Sequence, residues 1–287
     1  MNLQNIISEI EKVDPEVYGR LDTRRSAMKK FANVSGKIAV ASIPLALGSM
    51  FQTAYGQTST AVTDVLNFAL TLEYLEAEFY NNIVGSAGYL TAPAAAQTAL
   101  AKIKDDENKH VAFLKTALGA AAVAKPTFDF TGGKGSGTGP FAGYLNSYAV
   151  QLAMAQTFED TGVRAYKGQA PALQGNRPIL TAALEIHSVE ARHASHVRQM
   201  RRALNAAIPA GQVVKPWITL NQSGIEFPPA NAAIQLSYNG EELTTQAGAN
   251  IIGIGGNTYI DAKAASESFD EPLTKQDVLT IVNPFIV

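Results

Sequence analysis

Two copies of one pattern hold the residues with chemistry to offer: Glu-x6-Tyr, then Glu-x-x-His. The first copy is Glu73 and Tyr80 followed by Glu107 and His110; the second is Glu159 and Tyr166 followed by Glu190 and His193. The Glu-to-Glu intervals are 34 and 31 residues, the spacing of a duplicated helix pair. Four carboxylates and two imidazoles, one lone Glu or one Glu-x-x-His from each of four helices, form the ligand set with which a four-helix bundle holds two metal ions.

The electrostatics point the same way. A buried carboxylate without a partner costs several kcal/mol or takes up a proton. Four of them converging in one core would also repel each other, and two divalent cations supply the matching positive charge. In Glu-x-x-His the two side chains lie one helical turn apart, so a single helix offers two ligands to one ion or to neighbouring ions. A Glu from each partner helix then bridges or chelates. The chain has no cysteine, so thiolate sites, disulfides and cysteine nucleophiles are excluded and any metal is held by oxygen and imidazole nitrogen. The expected cofactors are two divalent metal ions, iron or manganese, on Glu73, Glu107, His110, Glu159, Glu190 and His193.

The elements that must position these residues show as four inward stripes. Val62, Leu66, Ala69, Glu73, Glu76 and Tyr80 recur at alternating steps of four and three. So do Ile103, Glu107, His110, Leu114 and Ala117 in a second segment. Leu145, Tyr148, Leu152, Ala155, Glu159, Gly162 and Tyr166 form the third, and Ala183, Ile186, Glu190, His193, Val197, Met200 and Leu204 the fourth. This spacing keeps each set on one helix face, in the seam geometry of bundle packing. The Glu and His residues thus fall inside the apolar stripe and not on the solvated face.

Turn residues set the boundaries. Gly85 and Gly88 end the first helix, Pro93 precedes the second and Gly119 closes it. From Ala120 to Pro140 the chain reads as a long crossover whose glycine run, Gly132 to Gly139, is expected to be a flexible linker. No Gly-Lys-Ser/Thr closes that run at phosphate-loop spacing. Gly168 and Pro171 to Pro178 make the other short connection. The expected fold is mainly α: a four-helix bundle over residues 57–205 with one long crossover, then an extension over 206–287. In that extension Val213-Val214, Ile234 to Tyr238 and the Ile251 to Ile260 region read as loops and short strands, and Thr274 caps a final helix ending at Val282 before Pro284. The extension is expected to cover part of the bundle or to build a contact in a homo-oligomer.

Residues 1–56 have another character. Thr23-Arg24-Arg25-Ser26-Ala27-Met28-Lys29 matches a twin-arginine export signal except for Ala27, and the apolar stretch Ile38 to Met50 has signal-segment length and is short for a bilayer span. Small residues follow at Ala54-Tyr55-Gly56, so the expectation is a periplasmic or otherwise exported protein with no stable membrane span after processing. A formal charge of -2 and the lack of any basic run argue against nucleic acid as a partner.

With these residues assembled, the chain resembles the ferritin-like superfamily, and within it bacterial ferritin-like proteins related to desiccation-associated proteins. The stretch Leu66 to Tyr80 is similar to that family's first helix, and Phe269-Asp270-Glu271-Pro272-Leu273-Thr274 with Asn283-Pro284-Phe285 to its C-terminal ending. The resemblance implies a non-haem di-metal bundle doing redox chemistry with ferrous iron, oxygen or peroxide, as a ferroxidase or a peroxide-consuming enzyme. A stress or desiccation protein that binds metal without turnover and a manganese catalase-like enzyme are the alternatives. Tyr80 and Tyr166 are candidates to hydrogen-bond ligand carboxylates from behind, and Glu76 to support or join the ligands, although its counterpart in the second copy is Gly162. His187 and His196 fall about one position off the seam and Trp217 reads as a packing anchor.

Overall fold

Helix boundaries follow local chemistry closely. In the computed structural model, which describes residues 60–287, α1 (Thr60–Ile83) is followed by a short α2 (Ala87–Leu90), and α3 (Ala94–Leu118) begins directly after Pro93 and stops at Gly119. Then come α4 (Tyr148–Gln169) and α5 (Arg177–Ala203). Ser147 caps α4 by accepting from the Val150 amide, and Asn176 caps α5 by accepting from Ile179. Helices α1 and α3 pack along their length, as do α4 and α5; α3 and α5 touch only sparingly. The long crossover between α3 and α4 joins the two pairs. The expected export signal, residues 1–56, lies outside the described residues. Among the described residues no helix is long and apolar enough to cross a membrane.

All but two members of the four stripes are buried. Leu145 lies in a 3-10 turn before α4, and Leu204 sits at the C-terminal cap of α5; both are exposed. At one end of the bundle Phe79, Tyr80, Phe130 and Phe158 pack edge-on or tilted with ring centroids 5.2–6.5 Å apart, and Phe285 adds a ring 5.1 Å from Phe158. Burying each such ring is worth about 1.5–3 kcal/mol.

The crossover is not a loose linker. Asp129 turns its carboxylate into the glycine run and accepts from the amides of Thr131, Gly135 and Gly137 at 2.9–3.0 Å and from the Thr131 hydroxyl at 2.5 Å. The chain end zips onto the same loop: Asp129 donates to the Phe285 carbonyl, Lys134 to that of Pro284 and Val287 to that of Thr127, at 2.8–3.0 Å. A glycine run with its amides engaged this way is fixed from both sides.

Residues 206–287 are mostly irregular. They contain α6 (Asn231–Gln235), a two-stranded antiparallel ribbon of β1 (Thr245–Gln246) and β2 (Ala249–Asn250), α7 (Ala262–Ser266) and α8 (Lys275–Val282). The strands fall between the runs expected to form them: Ile234 is helical, and Ile251 to Ile260 fold as turns around glycines. The final helix begins as expected, with Thr274 and Asp277 forming a reciprocal capping box. Trp217 is 48% exposed and does not anchor the tail.

Ile218, Ile225, Ile234, Leu273, Val278 and Phe285 of the tail join the hydrophobic core of the bundle, and a buried polar network fixes the tail as well. Helix α4 is buried almost all round, including Gln156, Asp160, Thr161 and Arg164 on the face turned from the bundle seam. The Arg164 guanidinium donates to the carbonyls of Glu271, Ser237 and Asn239 at 2.7–2.9 Å and pairs with Glu241 at 2.7 Å. Asp160 takes Arg198 in a two-pronged pair and accepts from the Tyr238 hydroxyl at 2.7 Å. Arg201 bridges the Gln156 side chain and the Gly224 carbonyl at 2.6 and 2.8 Å. Gly168, expected in the inter-helix connection, lies instead within α4; a Cβ there would overlap the Leu273 carbonyl, so glycine lets the tail lie against the helix. Burial pushes Glu241 up to about 8 against the pull of Arg164.

Arg164→Ala removes the side chain that joins these three carbonyls to the buried Glu241. Breaking one partner of a buried pair costs about 3–5 kcal/mol. In urea titrations the variant should lose that much, and limited proteolysis should cut within residues 206–287 before the bundle helices. Cleavage kinetics matching the parent's would show that the tail is held by something else.

Candidate metal centre

The six side chains singled out by spacing come from one level of the bundle. Glu73 comes from the middle of α1, Glu107 and His110 from α3, Glu159 from α4, and Glu190 and His193 from α5. All four carboxylates are fully buried, and the two histidines nearly so. They form two overlapping quartets, Glu73, Glu107, His110 and Glu190 in one and Glu107, Glu159, Glu190 and His193 in the other. Within each quartet one ligand atom per residue lies within 4.8 Å of all the rest. The carboxylates common to both are those of the Glu-x-x-His pairs; the lone Glu of α1 and that of α4 each belong to one quartet.

The histidines face inward through Nδ1. His110 Nδ1 stands 3.2 Å from Glu73 Oε2, 3.1 Å from Glu107 Oε2 and 3.1 Å from Glu190 Oε1. His193 Nδ1 is 2.8 Å from Glu107 Oε1 and 3.4 Å from Glu159 Oε2. His110 Nδ1 is hydrogen-bonded to Glu73 and Glu107, but other atoms of the cluster are near one another without being paired. Glu107 Oε1, Glu159 Oε2, both oxygens of Glu190 and His193 Nδ1 are buried without a hydrogen-bond partner. Buried polar atoms are almost always paired, so a cluster of five orphans aimed at one point is what a donor set for cations leaves. Oxygen and imidazole donors suit a divalent cation such as iron, manganese or zinc.

Tyr80 and Tyr166 cross over between the two copies. The Tyr80 hydroxyl of α1 donates to Glu159 Oε1 of α4 at 2.5 Å, and the Tyr166 hydroxyl of α4 donates to Glu73 Oε1 of α1 at 2.5 Å. Each lone glutamate thus has one oxygen held by tyrosine and the other turned to the cluster. Burial, then the facing carboxylate, keeps both phenols protonated far above their usual range.

Two features break the symmetry. Glu76 is buried at the cluster level, and a Cβ on Gly162 would stand 3.1 Å from Glu76 Oε1 and 3.7 Å from Glu190 Oε2. Gly162 is therefore the space into which the fifth carboxylate fits. Burial, then the charges of Glu190, Glu107, Glu159 and Glu73, pushes Glu76 well above the usual carboxylate range. The second feature is Asp106, which the stripe analysis missed because it sits one position off the seam. Its Oδ2 lies 3.6 Å from His193 Nε2, behind the ring, while Lys102 and Lys109 pair with it from outside. A carboxylate behind a ligating imidazole fixes ring orientation and tautomer. The position matching Asp106 in the second copy is Val189, so His110 has no such support. His187 is half-buried and His196 exposed; neither joins the cluster.

The cluster's proton balance gives a testable consequence. Burial raises Glu107 to about 7 and Glu190 to about 8, reinforced by the neighbouring carboxylates. Burial alone would lower His193, but Glu159 and Glu107 outweigh it and raise the imidazole to about 11. His110 moves the same way under Glu73, Glu107 and Glu190. Each raised group keeps its proton in the folded state at a pH where the unfolded chain has lost it. Stability from these groups is full below the unfolded pKa values and drains as pH rises through the folded ones, by about 1.4 kcal/mol per group per pH unit. Glu73 opposes this: burial raises it, His110 and Tyr166 outweigh that, and its contribution is lost only as pH falls below the ordinary carboxylate range. Metal-free protein should therefore melt at a lower temperature at pH about 8.5 than at about 5.5. Adding manganous or ferrous ion should reverse the trend, because ligands bind deprotonated. A metal-free melting temperature that rises over this interval would contradict this proton balance.

Comparison with known proteins fits this geometry. Residues 61–203 match the model of the ferritin-like domain, a span running from the start of α1 to the end of α5. A search of curated proteins and a search of solved structures each gave no match. The matched stretch contains the four bundle helices and every member of the cluster, and residues 61–203 are a ferritin-like domain.

Proposed function

We propose that Glu73, Glu107, His110, Glu159, Glu190 and His193 hold two divalent metal ions, iron or manganese, and that the protein carries out redox chemistry there on ferrous iron, dioxygen or peroxide. The observation that carries this reading is the pair of ligand quartets sharing Glu107 and Glu190, with five orphaned donor atoms between them. A bound pair of such ions supplies electrons and Lewis acidity to a small oxygen-containing substrate. Six side chains do not fill two ions that each take up to about six ligands, so room remains for that substrate.

The chain's own residues do the rest. Tyr80 and Tyr166 hold Glu159 and Glu73 in place, each through one oxygen. Asp106 orients His193 from behind. Burial and the charges of Glu190, Glu107, Glu159 and Glu73 favour the protonated form of Glu76, and reduction of dioxygen or peroxide to water consumes protons. In this reading the Glu76 carboxyl delivers one of them to the substrate oxygen.

Anaerobic titration with ferrous or manganous ion should show two equivalents bound. Glu107→Ala with Glu190→Ala should abolish that binding while most of the helical circular dichroism persists, because removing two repelling carboxylates offsets part of the lost metal stabilisation. Two equivalents at unchanged affinity in the double variant would overturn the site. A ferrous protein with both sites filled that stays unchanged in air and in peroxide would establish a metal-binding stress protein without turnover.

Glu76→Gln separates proton delivery from metal binding. The amide keeps the shape but carries no acidic proton. The variant should bind two equivalents and consume oxidant at least tenfold more slowly at neutral pH, with its pH dependence altered. A parent-like rate would remove Glu76 from the reaction.

A further inference from the structure

A small cavity lies in the bundle core on one side of the carboxylate cluster. Toward the aromatic end, Phe79, Tyr80, Leu100, Leu152, Ala155 and Val197 have no accessible surface at all. Toward the other end, Leu66, Ala69, Leu72, Tyr166, Ala183 and Ile186 each keep between 4% and 9% although they lie in the core. These six residues line the cavity, whose volume is about 20 Å³. Its position is set by sequence: Ala69 is one turn before Glu73, Leu114 one turn after His110, and Ile186 one turn before Glu190. Small residues create it, since Ala69, Ala117, Ala165, Ala182 and Ala183 face inward where larger side chains would close the gap. Leu173 and Ile179, from the α4–α5 connection and the first turn of α5, line it as well. Tyr166 forms the partition: its ring lines the cavity and its hydroxyl donates to Glu73 Oε1.

We propose that this cavity is a holding site for dioxygen that feeds the metal centre. A water molecule needs about 10–15 Å³ and two to four polar partners. The volume suffices for one small molecule, but the partners are missing. Apart from the Tyr166 hydroxyl, already committed to Glu73, and Gln169, the lining is apolar. Water and peroxide, which must keep their hydrogen bonds, are disfavoured there, whereas an apolar diatomic molecule leaves water for such a site without loss. The cavity thereby selects dioxygen over peroxide among the oxidants named above. Its role as a supply rests on the metal-centre reading; its capacity to hold gas does not.

The test begins with metal-free protein, whose methyl groups are followed by NMR under raised oxygen pressure. Dissolved dioxygen is paramagnetic, and the methyls of Leu66, Leu72 and Ile186 should relax severalfold faster than those of Leu100, Leu152 and Val197. Equal enhancement at the two ends would overturn the holding site. Ala183→Ile fills the cavity, with Ala69→Val as the milder variant should the first fail to fold. Either should lose the enhancement and slow oxygen consumption by ferrous-loaded protein severalfold, leaving two-equivalent metal binding and the rate with peroxide as in the parent. Oxygen consumption at the parent rate in a filled variant would overturn the supply role. Enhancement in a parent protein that binds no iron would instead sink the metal reading while leaving the gas site in place.

Discussion

Like charges packed into a weakly screening interior are the constraint to which the remaining features answer. Glu73, Glu76, Glu107, Glu159 and Glu190 meet in one layer of the bundle. A few ångströms of separation in a low-dielectric core make each repulsion worth far more than in water. Such a layer survives without cations only by taking up protons, and the upward displacement of Glu76, Glu107, Glu159 and Glu190 is that response. Rigid surroundings are therefore required, because flexible ones would let the carboxylates swing out to solvent. The aromatic packing around Phe79 and Phe158 on one side and the tyrosine–glutamate bonds within the layer supply that rigidity.

Duplication explains the ligands, and departures from duplication explain what differs between the two halves. The lone Glu, its crossing Tyr and the Glu-x-x-His repeat faithfully. Glu76 does not, and Gly162 stands where its counterpart would be; a side chain at 162 would occupy the space Glu76 uses. Asp106 backs His193, and Val189 leaves His110 without an equivalent. The quartet containing His193 thus has a carboxylate 3.6 Å behind its imidazole, and the quartet containing His110 does not. Two ions held by nominally equal ligands would meet unequal surroundings, with different affinities and different reactivity.

The bundle was legible in the sequence because a polar residue inside an apolar three-four stripe is a rare and directional signal. It placed Glu73, Glu107, His110, Glu159, Glu190 and His193 on facing surfaces without any knowledge of the loops. Asp106 escaped it because residues just off the seam look like ordinary solvated charges, and Lys102 and Lys109 make it look more so. The tail escaped it for another reason. Its polar contacts are made by Arg164 and Arg201 to carbonyls far along the chain and by Asp160, itself held by Arg198, to the Tyr238 hydroxyl, and nothing near those residues marks them as buried. The glycine run reads in the sequence as free chain, whereas the amides of Gly135 and Gly137 are tied to Asp129. The cavity has no motif; it exists only where alanines on separate helices meet.

The tail's place on the bundle bears directly on the cluster. Helix α4 carries Glu159 on one face and the Gln156, Asp160 and Arg164 network on the other, so without residues 206–287 that second face would draw water to within a helix diameter of the carboxylates. Covering it with the Arg164–Glu241 and Arg198–Asp160 pairs and with backbone carbonyls keeps the medium behind Glu159 dry while giving each buried guanidinium hydrogen-bond partners. On the opposite side α3 and α5 meet sparingly, and the two histidines are the members of the six with residual exposure. The layer is sealed where α4 supports it and thin where His110 and His193 stand. Such a difference strengthens the field of the buried carboxylates inside while leaving their imidazole partners nearest to solvent.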